Sequence, residues 1–112
     1  MIKNITKGNI ISQHYILCNS LLSQARGMMF RKRPLPLVFE FSREKINALH
    51  MMFVFFPIDV IFLDKDKEIV EIKENLRPFS FYNPKNISRY VVELEKGSIA
   101  ESRSAIGDVV CF

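Results

Sequence analysis

Four side chains in this 112-residue sequence could act together: Arg26, Arg31, His50 and Asp59. An arginine fork grips a carboxylate or phosphate through paired N–H donors. An imidazole titrates near neutrality and can serve as a general base. Lining one cleft, the four would make a binding site for a small anionic ligand, or the site of an enzyme of unrecognised type.

Asp59 is the most conspicuous of them. It lies in LHMMFVFFPIDVIFLD, residues 49–64, where, apart from His50, it alone interrupts an apolar run from Leu49 to Leu63. In a strand its side chain points away from those of Ile58 and Val60. A buried carboxylate must be hydrogen-bonded or paired. One reading makes Asp59 an anchor, with Arg26 as partner, pinning a helix-end loop against a sheet. The other places it in a ligand site.

The remaining candidates read first as structure. His14 falls inside an expected strand. Met28, Met29, Met51 and Met52 fill a core, or line an adaptable groove for a partner. Gly107-Asp108 is a turn signature, and Glu95-Lys96-Gly97 a strand end. Gly27, Pro57, Gly97, Gly107 and Asp108 are therefore expected to shape the backbone. No Walker loop, Rossmann glycine pattern or zinc motif is present, nor a serine–histidine–carboxylate order. Cys18 and Cys111 lack CxxC spacing, so no metal and no cofactor is expected. Two buried free thiols are expected in a cytosolic chain.

These residues need elements to position them. Residues 1–6 read as a strand, Lys7-Gly8-Asn9 as a turn, and 10–18 as a second strand, forming a hairpin. Asn19 or Ser20 caps a short helix with Leu21, Leu22 and Ala25 inward, and Gly27 ends it. Two prolines keep 31–36 an extended loop. Strands follow at 37–41, 46–56, 58–64, 68–74 and 90–95, with a turn at 42–45 and an irregular connection over 75–88. A short helix at 98–104, a turn at 106–108 and a strand at 109–111 finish the chain. Seven or eight short strands and two short helices predict one mainly β (α+β) domain over residues 1–112. A small, largely antiparallel β-barrel would cover such apolar strands and leave few edges.

Composition agrees with a packed core: 48% of residues are hydrophobic, too many for a disordered chain. The net charge is +4, mildly basic. Between Arg26 and Lys45 six basic residues face two acidic ones, an excess equal to that of the whole chain. Such a window suits phosphate or acidic protein surfaces, or simply keeps a flanking loop solvated. No signal peptide and no stretch of transmembrane length is read, so the expected location is cytoplasmic.

The order of motifs resembles one family. Arg26-Gly27-Met28-Met29-Phe30-Arg31, Pro57-Ile58-Asp59-Val60, Leu94-Glu95-Lys96-Gly97 and Gly107-Asp108 are similar to DUF192, a family of small uncharacterised bacterial and archaeal domains. The resemblance covers about residues 20–112. It implies a mainly β domain with small helices and brings no accepted activity. One departure stands out. The family's tryptophan-methionine-lysine-asparagine-threonine stretch falls on His50, Met51, Met52, Phe53 and Val54, so three polar positions are apolar here.

Three functions follow as expectations. The first is a non-enzymatic binding or protein-interaction module with a basic-rimmed contact surface near residues 26–45. The second is the small anionic-ligand protein or enzyme with a cleft at Arg26, Arg31, His50 and Asp59. The third is a weak single-stranded nucleic-acid binder using basic residues near Phe30, Phe39 and Phe41.

Overall fold

A computed structural model describes residues 1–112. In chain order the elements are β1 (Ile2–Asn4), β2 (Asn9–Ser12), β3 (Ile16–Cys18), α1 (Leu21–Arg26), β4 (Leu37–Lys45) and β5 (Leu49–His50). They continue with β6 (Ile58–Leu63), β7 (Ile69–Leu76), β8 (Phe81–Tyr82), β9 (Ser88–Glu95), α2 (Ser98–Ser102) and β10 (Val110–Cys111). No helix is long and apolar enough to cross a membrane.

The apolar IDVIFL run becomes β6, buried along its whole length. It pairs antiparallel with β9 on one side and β7 on the other. The full sheet runs β3-β4-β9-β6-β7, with β3 parallel to β4 and every other pair antiparallel. Beside it lie a three-stranded sheet, β10-β1-β2, and a two-stranded one, β5-β8.

The expected barrel is not formed. The large sheet ends in edges at β3 and β7, which do not pair with each other, and a single bridge between Glu68 and Val109 links its β7 end to the β10-β1-β2 sheet. Closure would require those edges to meet. The central sheet is instead covered on both faces, each by its own core. One face carries Leu37, Phe39, Val60, Phe62 and Val91, packed with Met28, Met51 and Val54. The other carries Val38, Ile61, Leu63, Val92 and Leu94, packed with Ile2, Ile99 and Val110. Two faces buried by separate layers hide the apolar strands without any need to curl the sheet.

Local differences have local causes. The expected strand 10–18 breaks at residues 13–15, so its halves join different sheets. The expected turn at 42–45 continues β4 instead, through a register shift between Glu40 and Lys45. Of the expected strand 46–56 only Leu49–His50 pairs, and Phe53 adopts a left-handed backbone. The connection over 75–88 contains β8.

Helix α1 does not turn its leucines inward: Leu21 and Leu22 are each 85% exposed. Six residues form too short a helix to rest on an apolar stripe. A capping box between Ser20 and Ser23 starts it. The Gln24 amide then fastens it to the sheet, donating to the carbonyls of Cys18 at 3.1 Å and Glu40 at 2.8 Å. Both cysteines are free, but only Cys18 is buried; Cys111 is exposed because it lies on the outer face of a two-residue end strand.

Candidate functional site

Four carboxylates are buried: Asp59, Glu71, Glu93 and Asp108. Burying a carboxylate is costly unless donors replace the lost water. Three of the four have such donors.

Asp59, 1% exposed, accepts from backbone amides only. One oxygen takes Asn75 N–H at 3.0 Å, and the other takes the Gly97 and Ile99 amides, each at 3.0 Å. It thereby joins β6 to the start of α2 and to the end of β7. Arg26 is not among its partners; the chain's one ion pair is Lys7 with Asp108, at 2.9 Å. Asp108 also accepts from the Asn4 side chain at 3.0 Å and the Ala105 amide at 3.0 Å. The hydrogen bonds from Asn4 and Lys7 hold its carboxyl below the usual range.

Glu71 accepts from the Tyr82 hydroxyl, the Lys85 and Asn86 amides and the Asn86 side chain. Burial pushes its pKa up, but these four donors outweigh burial and leave it lowered. The Tyr82 hydroxyl, desolvated and bonded to this anion, is pushed up to about 12.

Glu93 differs from all three. It sits on β9, the central strand, in register with Leu37 of β4 and Val60 of β6. Only 6% of it is exposed, and it has neither a hydrogen bond nor an ion pair. Desolvation alone pushes its pKa up to about 7. No side-chain oxygen or nitrogen is both sealed from solvent and partnerless. The Glu93 oxygens therefore open onto space, and that space is a cavity of about 310 Å³.

The cavity lies over the central sheet, between α1 with the turn after it and the segment 45–54. Met28, Met29, Phe39, Phe41, Met51 and Val54 give it apolar walls. Glu93, on the buried strand, forms its floor, while Arg26, Lys45 and His50, all exposed, stand at its rim. Gly27 makes room beside the floor: it has φ +47°, and a Cβ there would lie 3.2 Å from Phe39 Cζ and 3.7 Å from Glu93 Oε1. Cys18 lies behind this wall. Burial raises its thiol pKa, the Glu93 charge adds to the rise, and Arg31 and Ser23 oppose it.

Asn47 also lines the cavity. Its amide nitrogen donates to the carbonyls of Lys45 at 3.3 Å and Ser88 at 2.9 Å, and to the Ser88 hydroxyl at 2.9 Å. That fixes the amide nitrogen and leaves the Asn47 oxygen without a donor. By the same reasoning as for Glu93, this oxygen is open rather than sealed.

Of the four residues that the sequence proposed for one cleft, Arg26 and His50 line this cavity. Arg31 does not, and its Nε donates to the Gly27 carbonyl at 2.9 Å. Asp59 faces the other side of the sheet. His50 accepts the Met52 amide at Nδ1, 3.3 Å away. Of the phenylalanines tied to nucleic-acid binding, Phe39 is buried, Phe41 half-buried and Phe30 exposed. His14 lines a different depression, of about 500 Å³, bounded by Arg33, Glu95 and Glu101.

Glu93 and Asn47 were missed by sequence reasoning, and Lys45 was read only as one of the basic residues of the window 26–45. The signal for Glu93 was faint but present. It is the one charged residue in YVVEL, a segment whose other members are all apolar or aromatic.

Against known proteins, the profile of DUF192, described as "Uncharacterized ACR", matches residues 4–112. The chain belongs to the DUF192 family. A UPF0127 protein of Pyrococcus furiosus is 37% identical over 107 residues, 94% of this chain and 91% of its own. Crystal structures of two proteins share the fold, each with a TM-score of 0.81. The one from Sinorhizobium meliloti is 24% identical, over 87% of this chain and 79% of its own. The one from Novosphingobium aromaticivorans, of unknown function, is 23% identical, over 88% and 74%.

The stretch in which this chain departs from the DUF192 pattern borders the cavity. His50, Met51 and Val54 line it, and Met52 and Phe53 do not. Phe53 stacks outside on Phe30, with ring centroids 4.9 Å apart, and meets Phe79 edge-on at 6.1 Å. Phe55 meets Phe79 at 5.6 Å. Together they form an exposed aromatic patch on the outer surface of the same loop.

Proposed function

We propose that this DUF192 domain is a non-catalytic module that binds a small molecule in the cavity floored by Glu93. The observation that carries the reading is the Glu93 carboxylate, buried without a donor while the other three buried carboxylates are saturated. An unpartnered acceptor in an apolar recess is a cost to the fold that a ligand's donor can offset. The volume, about 310 Å³, falls at the small end of ligand pockets. Apolar walls with a few polar groups fit the usual composition of such sites.

Binding rather than catalysis is supported by the lining itself. It contains no serine, threonine or cysteine nucleophile. Asp59 stands on the far face of the sheet, so the cleft once expected to join it to His50 does not assemble. The free thiols of Cys18 and Cys111 fit a cytoplasmic setting.

The test is a ligand screen followed by amide chemical shifts. A ligand should perturb Gly27, Met28, Asn47, Met51 and Glu93, and its effect should weaken in Glu93→Gln. Perturbations confined to other surfaces, unchanged in that variant, would refute the site.

A further inference from the structure

We infer that the cavity takes a dipolar ligand, with a protonated amine held at Glu93 and an anionic group held at the basic rim of Arg26 and Lys45. This rests on the reading of the cavity as a binding site and assigns the ligand's chemical class. The Glu93 carboxylate is an acceptor without a donor, and its oxygens open into this space. A complementary ligand must therefore bring N–H donors to the deep end. An ammonium group brings three and a positive charge that matches Glu93.

A simple cation is a poorer match, because it would have to pass the exposed guanidinium of Arg26 and the ammonium of Lys45 at the rim. These two are free to receive a carboxylate or phosphate. Neither makes an ion pair within the chain, although Lys45 Nζ rests over the Phe41 ring, 5.1 Å from its centroid. Between the two ends, the walls of Met28, Met51, Phe39 and Phe41 suit an apolar spacer. Their polarizable and aromatic surfaces also tolerate a nearby cation. The polarity is opposite to that expected when the cleft was read as an anion grip, because the carboxylate is deep and the cations are shallow.

The test uses three probe series of matched chain length: ω-aminoalkanoic acids, n-alkylamines and n-alkanoates, each titrated into the intact chain by calorimetry and amide chemical shifts. We expect the best aminoalkanoic acid to bind at least tenfold tighter than the amine or the acid of the same length. Glu93→Gln should weaken it at least tenfold. The double variant Arg26→Gln, Lys45→Gln, altered only at exposed side chains, should bring it down to the affinity of the plain amine. Alkylamines binding as tightly as the aminoalkanoic acids to the wild type would overturn the dipolar assignment. Alkanoates binding best at the cavity would overturn it too, while leaving the binding reading intact. If no series perturbs the cavity residues, both the assignment and the binding reading fall.

Discussion

The Asp59 carboxylate accepts the Gly97 amide at 3.0 Å, and the same oxygen accepts Ile99 N–H at the same distance. A side chain from the buried strand β6 thus fixes where β9 ends and α2 begins. Gly97 precedes the helix in a left-handed conformation and has no side chain with which to cap it. Asp59 supplies that cap from another strand. Its second oxygen holds the Asn75 amide, where the chain also has a left-handed φ of 53°.

Asp59→Asn should therefore destabilise the fold by about 2–3 kcal/mol, since an amide nitrogen would face backbone donors and charged hydrogen bonds would be lost. A fall in melting temperature of roughly 10 °C or more is expected. Because Asp59 faces away from the cavity, ligand affinity of the folded variant should stay at the wild-type value. An unchanged melting curve would contradict the anchor role.

Glu93 makes stability depend on pH in a definite direction. The unfolded chain releases this proton near 4.5, whereas the folded chain keeps it until about 7. The folded state binds more protons between those values, so stability falls as pH rises through the window and stays lowered above it. The loss attributable to Glu93 is about 3 kcal/mol at most. Its buried titratable neighbour, Cys18, has a thiol pKa raised above 9.0 by burial and by Glu93, and so stays protonated across the window. Melts of wild type and Glu93→Gln between about pH 5 and pH 8 should show the variant gaining relative to the wild type as pH rises. Parallel curves would contradict the buried, unpartnered carboxylate.

Gly27→Ala should cost about 1–3 kcal/mol. The residue has φ +47° and ψ −121°, a combination strained for any side chain. The added Cβ would also press on Phe39 Cζ at 3.2 Å. Phe39 is a cavity wall, so ligand affinity should fall together with the melting temperature. A stable variant with intact binding would show that this turn is not what shapes the recess.

Phe53→Asn exchanges two effects of similar size. The left-handed backbone at φ 58° costs a phenylalanine about 1 kcal/mol more than an asparagine. The stacked contact with Phe30 returns about 0.5–1.5 kcal/mol. Chemical denaturation should find the variant within about 1 kcal/mol of wild type, with less exposed aromatic surface reported by dye binding. A large loss would mean that the aromatic patch supports the fold from outside.

Much of the architecture was legible where one local rule dominates. IDVIFLD is too apolar and too β-branched to be anything but a buried strand. Ser20 and Gly27 bound α1 because a hydroxyl cap and a left-handed stop act within a few residues. Asp59 stood out as the carboxylate within an apolar run, but its partners did not, since they are backbone amides 16 to 40 residues away. Leu21 and Leu22 misled because apolar residues in a helix read as inward, and this helix is held by Gln24 instead. The barrel failed for a non-local reason: whether a sheet closes depends on what covers its faces, and this one is covered by both ends of the chain on one face and by residues 28 to 54 on the other. Glu93 was obscured because one residue type serves two environments. A lone glutamate in an apolar strand fits a half-wet strand as readily as a buried one, but β9 is central and buried on both faces at position 93.

The most direct measurement is a carboxyl-carbon NMR titration of Glu93, without ligand and at saturation with the tightest-binding aminoalkanoic acid. The account predicts a midpoint near 7 in the free protein, moving down into the ordinary glutamate range when the ammonium is bound. A free-protein midpoint already in the ordinary range, or one that does not move on saturation, would contradict it.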